Sequence, residues 1–215
     1  MQDIIILGAG GTGREVMEIC EDVFGKNSDY RIKGFLSDAL DVLDNFDVPY
    51  PMLGTIKDYK VQPEDRFILA IGSVSGRRKV AENILERGGK FLTLIHPSAQ
   101  VYRSAKIGEG VLIMPHAFVG ANADVGNFCF INCHAGCGHD VKLGKFSEMA
   151  PYSAVAGGSE VGEECFFALH AVVAPKTVLG NRVVVSQGST IQKNQPDDKL
   201  IIGVPGKSFR KIGNF

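Results

Sequence analysis

Two adjacent side chains, those of His139 and Asp140, have the types needed to move a proton near neutral pH. An imidazole titrates in that range and can act as a general base, and a neighbouring carboxylate can hold its tautomer and raise its basicity. Neighbouring residues of a strand point to opposite faces, so the carboxylate can reach the imidazole only if the chain bends between them. Asn132 belongs to the same polar cluster. The cluster predicts a general-base site at a bend.

Glycines follow the first apolar run of the chain, where residues 8–13 read GAGGTG, and Asp38 ends the second strand-like run. The pattern G-x-G-x-x-G between a strand and a helix directs backbone N–H groups toward a phosphate. A dinucleotide-binding fold needs two mononucleotide-binding halves. Only about 95 residues are available for them, because a six-residue repeat follows in the rest of the chain. The loop therefore favours one nucleotide or nucleotide-sugar, with a tight turn that binds nothing as the alternative.

Strand and helix signals alternate over the same residues. Short apolar runs predict strands at 4–7, 31–36, 67–71 and 91–95, and amphipathic segments predict helices at 14–24 and 75–87. This alternation is typical of a small open α/β domain, which we assign to residues 1–97.

From Ala105 onward the sequence repeats every six residues for 15 hexads without an insertion. The third residue of every hexad is apolar, from Ile107 to Ile191. This hexapeptide pattern predicts a parallel β-helix, in which three hexads form one coil and residues 18 apart stack. We assign the solenoid to residues 98–215, including a C-terminal tail.

Other histidines recur in this register. His116, His134 and His170 occupy the sixth position of hexads at one corner with Tyr152, and we expect them to form a ladder. A zinc site is the competing interpretation, because gamma-class carbonic anhydrases place zinc ligands on a solenoid at loosely similar spacings. Five residues of strand span about 16 Å, so His134 and His139 cannot bind the same ion within one chain. We expect no metal.

Composition narrows the classes of partner. The net charge of −1 gives no electrostatic reason to expect nucleic acid or an anionic membrane as a partner. No apolar run approaches 18 residues, so we expect no membrane insertion. Five cysteines do not suggest a disulfide framework, and no signal peptide is evident, so we expect a cytoplasmic protein.

Taken together, these motifs resemble the nucleotide-sugar acetyltransferases with hexapeptide repeats. That family includes the bacillosamine-pathway and perosamine N-acetyltransferases and the sialic acid O-acetyltransferase group. The resemblance covers nearly the whole chain and rests on residues 6–13 (ILGAGGTG), 34–38 (GFLSD), 70–72 (AIG), 95–99 (IHPSA), 138–140 (GHD) and 202–207 (IGVPGK). It implies an α/β Rossmann-like N-terminal domain followed by a left-handed parallel β-helix, acetyl-CoA as co-substrate, and a homotrimer with active sites between subunits.

The resemblance also implies roles for individual residues. His139 would be the general base, Asp140 the acid that makes it more basic, and Asn132 a further active-site residue. The nucleotide-sugar would contact Gly10, Gly11, Thr12, Ser37, Asp38 and Gly72. Acetyl-CoA would lie near Glu148, Gly157, Leu169, Gln187 and Lys207. Three positions depart from the family pattern, since Thr12 and Glu148 replace histidines and Gln187 replaces a glycine.

The expected activity is acetyl-CoA-dependent N-acetylation of a nucleotide-linked aminosugar of the 4-amino-4,6-dideoxy type, by direct transfer, for bacterial surface glycan synthesis. The alternative is O-acetylation of a sugar, as in the sialic acid group, with the same base acting on a hydroxyl. A zinc-dependent carbonic anhydrase-like enzyme and a non-catalytic nucleotide-sugar binder are the remaining hypotheses.

Overall fold

A computed structural model describes residues 1–25, 29–211 and 213. The chain divides into two compact units, Met1–Leu94 and Ile95–Phe215. The elements of the first unit are β1 (Gln2–Leu7), α1 (Gly11–Phe24), β2 (Tyr30–Leu36), β3 (Met52–Gly54), β4 (Asp65–Leu69) and α2 (Val74–Glu86). Its four strands form a parallel sheet in the order β3-β2-β1-β4.

One predicted strand of this sheet is wrong. The fourth strand is the short β3, whereas Phe91 forms only an isolated bridge with Phe67, and Leu94–Ile95 pairs with the sheets of the second unit. A three-residue strand at the edge of a sheet carries too few residues to show an alternating pattern, which is why the sequence does not reveal it.

The second unit consists mainly of two-residue strands that begin every six residues as far as Thr190–Ile191. Together with two four-residue strands near its end, they form three sheets of eight, six and five strands. Residues 18 apart pair in parallel, as Val125 does with Leu143. The antiparallel pair of Lys199–Ile202 and Lys207–Arg210 closes the largest sheet. The strands are β5 (Leu94–Ile95), β6 (Gln100–Val101), β7 (Lys106–Ile107), β8 (Leu112–Ile113), β9 (Phe118–Val119), β10 (Asp124–Val125), β11 (Phe130–Ile131), β12 (Gly136–Cys137), β13 (Lys142–Leu143), β14 (Glu148–Met149), β15 (Ala154–Val155), β16 (Glu160–Val161), β17 (Phe166–Phe167), β18 (Val172–Val173), β19 (Val178–Leu179), β20 (Val184–Val185), β21 (Thr190–Ile191), β22 (Lys199–Ile202) and β23 (Lys207–Arg210).

The predicted fold class, an α/β domain followed by a parallel β-helix, is confirmed. The solenoid starts before the repeat recognised in the sequence, because β5 and β6 already follow the six-residue spacing. Third-position side chains fill its interior, and from Ile113 to Ile191 none is more than 5% exposed. Cys129 and Cys137 are fully buried in this core.

From Gly110 to Gly188, each corner of the solenoid is made by the sixth residue of a hexad in a left-handed conformation. Non-glycine residues at this position, from His116 to Arg182, have φ between 55° and 61°. Such values are uncommon outside glycine, so their regular recurrence shows that the coil imposes them. The bend that the His139–Asp140 pair requires is therefore a general property of the repeat.

The outward faces of the sheets differ in charge. The face of β6, β9, β12, β15, β18 and β21 carries no charged side chain at its outward strand positions, which hold Gln100, Phe118, Gly136, Ala154, Val172 and Thr190. We call this the uncharged face. The face of β7, β10, β13, β16 and β19 instead carries Lys106, Asp124, Lys142, Glu160 and Val178, and Lys142 pairs with Glu160 at 2.8 Å.

Candidate active site

The His139–Asp140 pair lies at one corner of the solenoid, and its two side chains meet. Asp140 has φ 58°, and this turn lets its carboxylate reach the ring of the preceding residue. His139 Nδ1 and Asp140 Oδ2 are 2.7 Å apart. Because an ionised carboxylate only accepts hydrogen bonds, Nδ1 carries the proton and Nε2 is the basic nitrogen. Both side chains are more than half exposed.

Asn122, which the sequence analysis did not single out, holds the other oxygen of this carboxylate. It lies 18 residues before Asp140, one coil away at the same corner, and its Nδ2 donates to Asp140 Oδ1 at 3.3 Å. Its own backbone N–H donates to Ser104 Oγ at 3.0 Å. The hydrogen bond from His139, and after it the one from Asn122, holds the pKa of Asp140 below its usual value. The 18-residue stacking rule is the signal that could have revealed Asn122.

Gly157 lies one coil after His139, on the side of the imidazole away from the coil of Asn122. A Cβ atom at this position would be 2.4 Å from His139 Nε2 and 2.6 Å from Cε1, so the ring occupies the space that a side chain would need. The Gly158 backbone N–H donates to the His139 carbonyl at 2.9 Å and fixes the coil at this point. Gly157, which the family resemblance assigns to the coenzyme, therefore also contacts the candidate base.

The other predicted residues of the second unit lie elsewhere on the solenoid. Asn132 is at the preceding corner, where its Oδ1 accepts from the Cys133 backbone N–H at 2.7 Å, so within one chain it is separated from His139 by strand β12. Glu148 on β14 is only 6% exposed. Leu169 is 46% exposed and stacks one coil from the exposed Gln187. Lys207 begins β23 and is exposed.

The predicted nucleotide-sugar residues come together at one edge of the first unit. They follow the carboxyl ends of three adjacent strands: Gly10, Gly11 and Thr12 after β1, Ser37 and Asp38 after β2, and Gly72 after β4. Backbone hydrogen bonds from Gly8 to Leu36 and from Ala70 to Leu7, both 2.8 Å, join these loops. Ligands of open α/β sheets bind at this edge.

The start of α1 leaves room for an anion. Gly10 is its N-cap and makes no side-chain capping hydrogen bond. Side chains at Gly10, Gly11 or Gly72 would meet no atom within 4 Å, so a ligand can approach the backbone there. Gly13 has a different function, because a Cβ there would lie 2.2 Å from the Gly8 carbonyl oxygen. The last glycine of the loop lets the helix pack directly on the turn.

A cavity of about 210 Å³ lies beside Asp38 in the first unit. Asp38 Oδ1 accepts a hydrogen bond from the Ile56 backbone N–H at 3.2 Å. The cavity combines this carboxylate with two ammonium groups and an amide, and its lining residues are Asp38, Ile56, Lys57, Lys79, Val80 and Asn83.

The predicted ladder forms at a different corner from His139. Neighbouring ring centroids are 5.0 Å apart for His116 and His134, 4.7 Å for His134 and Tyr152, and 5.1 Å for Tyr152 and His170. Stacked imidazoles present their faces to each other, so their nitrogens do not converge on one ion. Over residues 1–25, 29–211 and 213, no cluster of three or more His, Cys, Asp or Glu could hold a metal. Neither helix of the same residues is long and apolar enough to cross a membrane.

Comparison with known proteins places this architecture in a family. Residues 3–84 match the model of the PglD N-terminal domain. UDP-N-acetylbacillosamine N-acetyltransferase of Bacillus subtilis (strain 168) is 34% identical over 116 residues, which cover 53% of this chain. This alignment spans about half of that relative, 52% of its length.

Solved structures match over almost the whole chain. PerB from Caulobacter crescentus, in complex with CoA and GDP-perosamine, is 30% identical with a TM-score of 0.87, and the match covers 97% of this chain and 98% of that one. The acetyltransferase domain of PglB from Neisseria gonorrhoeae, in complex with acetyl coenzyme A, is 28% identical with a TM-score of 0.87 and coverage of 97% and 99%. With its glycine-loop α/β unit, its solenoid and these relatives, the chain belongs to the hexapeptide-repeat family of nucleotide-sugar acetyltransferases.

Proposed function

We propose that this protein transfers the acetyl group of acetyl-CoA to the amino group of a nucleotide-linked aminosugar of the 4-amino-4,6-dideoxy type. The observation that carries the proposal is the 2.7 Å hydrogen bond between His139 Nδ1 and Asp140. That bond fixes the tautomer in which Nε2 is free to accept a proton, as a general base for an amine requires. The CoA and GDP-perosamine complex of the Caulobacter relative supports both substrates.

The chemistry is direct transfer. The amine nitrogen attacks the thioester carbonyl carbon, a C–N bond forms, and His139 Nε2 takes the proton that the amine loses. The C–S bond then breaks as the tetrahedral intermediate collapses, and the leaving thiolate takes the proton back from the imidazole. A backbone N–H group at a coil turn would stabilise the oxyanion of the intermediate.

The cysteines of the solenoid core support a route without an acyl-enzyme. Burial raises the pKa of the Cys137 and Cys165 thiols to about 12. A thiol needs its thiolate form to act as a nucleophile, so neither group is reactive at neutral pH.

Each unit supplies one binding function. In the first unit, the backbone at Gly10, Gly11 and Gly72 would hold the diphosphate, with Thr12 beside it. Ser37 and Asp38 would contact the nucleoside next to the cavity that contains Lys57 and Lys79.

In the second unit, the coenzyme would run parallel to the solenoid axis along Leu169 and Gln187, which stack at the 18-residue spacing. Gly157 would sit near the thioester, and Glu148 and Lys207 would complete the set implied by the family. Because Glu148 is only 6% exposed, it would contact only a group that lies directly against it.

The uncharged face of the solenoid supports self-association. A broad strip of small and apolar residues without charge is typical of the core of a subunit interface. We propose a homotrimer in which neighbouring solenoids complete each active site, so that residues at different corners, such as Asn132 and His139, contribute to one centre from two subunits. We propose a cytoplasmic location and a role in bacterial surface glycan synthesis.

The test is thiol release from acetyl-CoA with a panel of nucleotide-linked 4-amino-4,6-dideoxy sugars, for the unmodified protein beside His139→Ala. Turnover with one amine, lost in His139→Ala and kept in the control His116→Ala, is the expected result. Absence of thiol release with every amine from folded protein would overturn the proposal, and release only with hydroxyl acceptors would replace it by O-acetylation. Equal turnover in His139→Ala would remove the histidine from its assigned role.

A further inference from the structure

The segment that connects β2 to β3 is attached to α1 at two points, and we call its residues 39–50 the strap. The Phe46 ring packs against the Arg14 guanidinium. The Tyr50 hydroxyl donates a hydrogen bond to Glu21 Oε1 at 2.9 Å. Arg14 and Glu21 are seven residues apart, so they lie on one face of the helix, about 10.5 Å apart along its axis. Four residues of extended chain span about 13 Å, so the strap runs along this face from Phe46 to Tyr50.

Arg14 interacts with the strap through the face of its guanidinium. Its Cζ atom lies 3.5 Å from the centroid of the Phe46 ring. Within the described part of the chain, the guanidinium makes no hydrogen bond or ion pair, although the strap contains Asp41, Asp44 and Asp47. A guanidinium has five N–H donors that point outward in its plane. Stacking on the ring therefore leaves these donors available to a ligand.

The place of Arg14 in α1 indicates the charge of that ligand. Arg14 is the fourth residue of the helix, and its backbone N–H donates to the Gly10 carbonyl at 3.1 Å. The N-terminus of a helix carries a partial positive charge that repels a cation, and the first turn has no acidic side chain to offset this repulsion. Because helical side chains lean toward the N-terminus, the Arg14 side chain extends toward the turn of Gly10 and Gly11. Two positive groups that lie together, one of them with unused donors, favour an anion.

We propose that Arg14 donates to the diphosphate of the nucleotide-sugar and that Phe46 is the positioning residue that holds the guanidinium for this contact. The proposal rests on the proposed function, which places a diphosphate at Gly10 and Gly11. The planar fork of an arginine fits two oxygens of a phosphate. Loss of side-chain freedom opposes binding, and an arginine stacked on a ring has lost part of that freedom before the ligand arrives. Phe46 thus contributes to affinity without touching the substrate.

The first experiment tests the arginine. Titration calorimetry with GDP, UDP and dTDP identifies the nucleoside diphosphate that the unmodified protein binds. Arg14→Gln removes the charge but keeps a side chain that favours helix. It should weaken this binding about 30-fold, the effect of losing a hydrogen bond to a charged group. The KM for the nucleotide-sugar should rise by a similar factor, whereas the KM for acetyl-CoA should not change.

The second experiment tests the positioning role of the ring. Phe46→Leu keeps an apolar side chain without a π face and should weaken diphosphate binding about fivefold, as expected for an exposed cation–π contact. Phe46→Tyr should bind like the unmodified protein. Adding Phe46→Leu to Arg14→Gln should weaken binding no further, because the ring acts through the guanidinium. Tyr50→Phe, which removes the other attachment of the strap, is the matched control and should leave binding unchanged. Thermal unfolding of each variant checks that it is folded.

The outcomes separate this proposal from the proposed function. Equal binding by Arg14→Gln and the unmodified protein would overturn the proposal, as would failure of the unmodified protein to bind any of the three diphosphates. Phe46 would lose its positioning role if Phe46→Leu bound normally, if its loss added fully to that of Arg14→Gln, or if Tyr50→Phe weakened binding equally. If diphosphate binding depends on Arg14 but no amine releases thiol from acetyl-CoA, the proposed function fails and this inference stands.

Discussion

Replacing Gly157 by alanine tests whether catalysis depends on the position of one imidazole ring. The new Cβ would lie 2.4, 2.6 and 2.8 Å from three atoms of the His139 ring, where ordinary contacts begin at about 3.4 Å. The ring is exposed and can rotate away, and the required displacement is about 1 Å. A misplacement of that size can lower a rate about 100-fold. We therefore expect kcat to fall roughly 100-fold.

Stability should respond very differently. The clash is with the end of an exposed side chain and not with backbone, so it can be relieved without disturbing the coil. The free energy of unfolding in urea should stay within about 0.5 kcal/mol of the unmodified protein, as for most surface substitutions. Thiol release from acetyl-CoA, measured at saturating concentrations of both substrates, gives the turnover to compare.

A double variant identifies the cause of any loss. If Gly157→Ala acts by displacing the ring, then adding it to His139→Ala should lower turnover no further, because the ring is already absent. An additional loss as large as that of the single variant would mean that Gly157 acts through the coenzyme and not through the ring. Unchanged kcat in the single variant would refute the reasoning that the observed ring position is the productive one.

Three further changes test other contacts. Asn122→Ala should lower kcat about tenfold with KM unchanged, since it removes a hydrogen bond to a charged group. The pKa of Asp140 should rise, but its carboxylate stays ionised at neutral pH. The acid limb of the pH–rate profile should therefore not move to higher pH. Asp65→Asn removes a buried carboxylate that pairs with Lys33 at 3.2 Å. Because Lys33 keeps its 3.2 Å contact with Asp3, the free energy of unfolding in urea should fall by about 2 kcal/mol. In Gly13→Ala the new methyl group would clash with the Gly8 carbonyl oxygen and push α1 away from the glycine turn. Titration calorimetry should show that nucleotide-sugar binding is lost, and scanning calorimetry should show a lower Tm. Normal binding would contradict the close contact between Gly13 and Gly8.

The sequence predicts those features that follow from the repeat and leaves out those that depend on side-chain conformation. Stacking at 18 residues predicts the ladder from His116 to His170, and the hexad period predicts the core. The contact between His139 and Asp140 depends on the left-handed conformation of the corner residue. This conformation recurs regularly in the solenoid, but the residue types alone do not predict it. The contact of Gly157 with the imidazole depends on a rotamer, so spacing alone could not reveal it. The strand at 52–54 was missed because three residues at an edge show no period.

The six-residue spacing of the strands also limits how the chain can change during evolution. Inserting one hexad between His139 and Gly157 would turn every later residue by one face. It would place β14, β17 and β20 where strands of the uncharged face now lie, and it would carry Gly157 away from His139. Inserting three hexads between His139 and Gln187 would restore the faces but lengthen the path between these two residues by one coil, about 4.8 Å. Distances along the solenoid axis can therefore change only by whole coils. A ligand that contacts several coils requires a fixed number of coils between its contact sites.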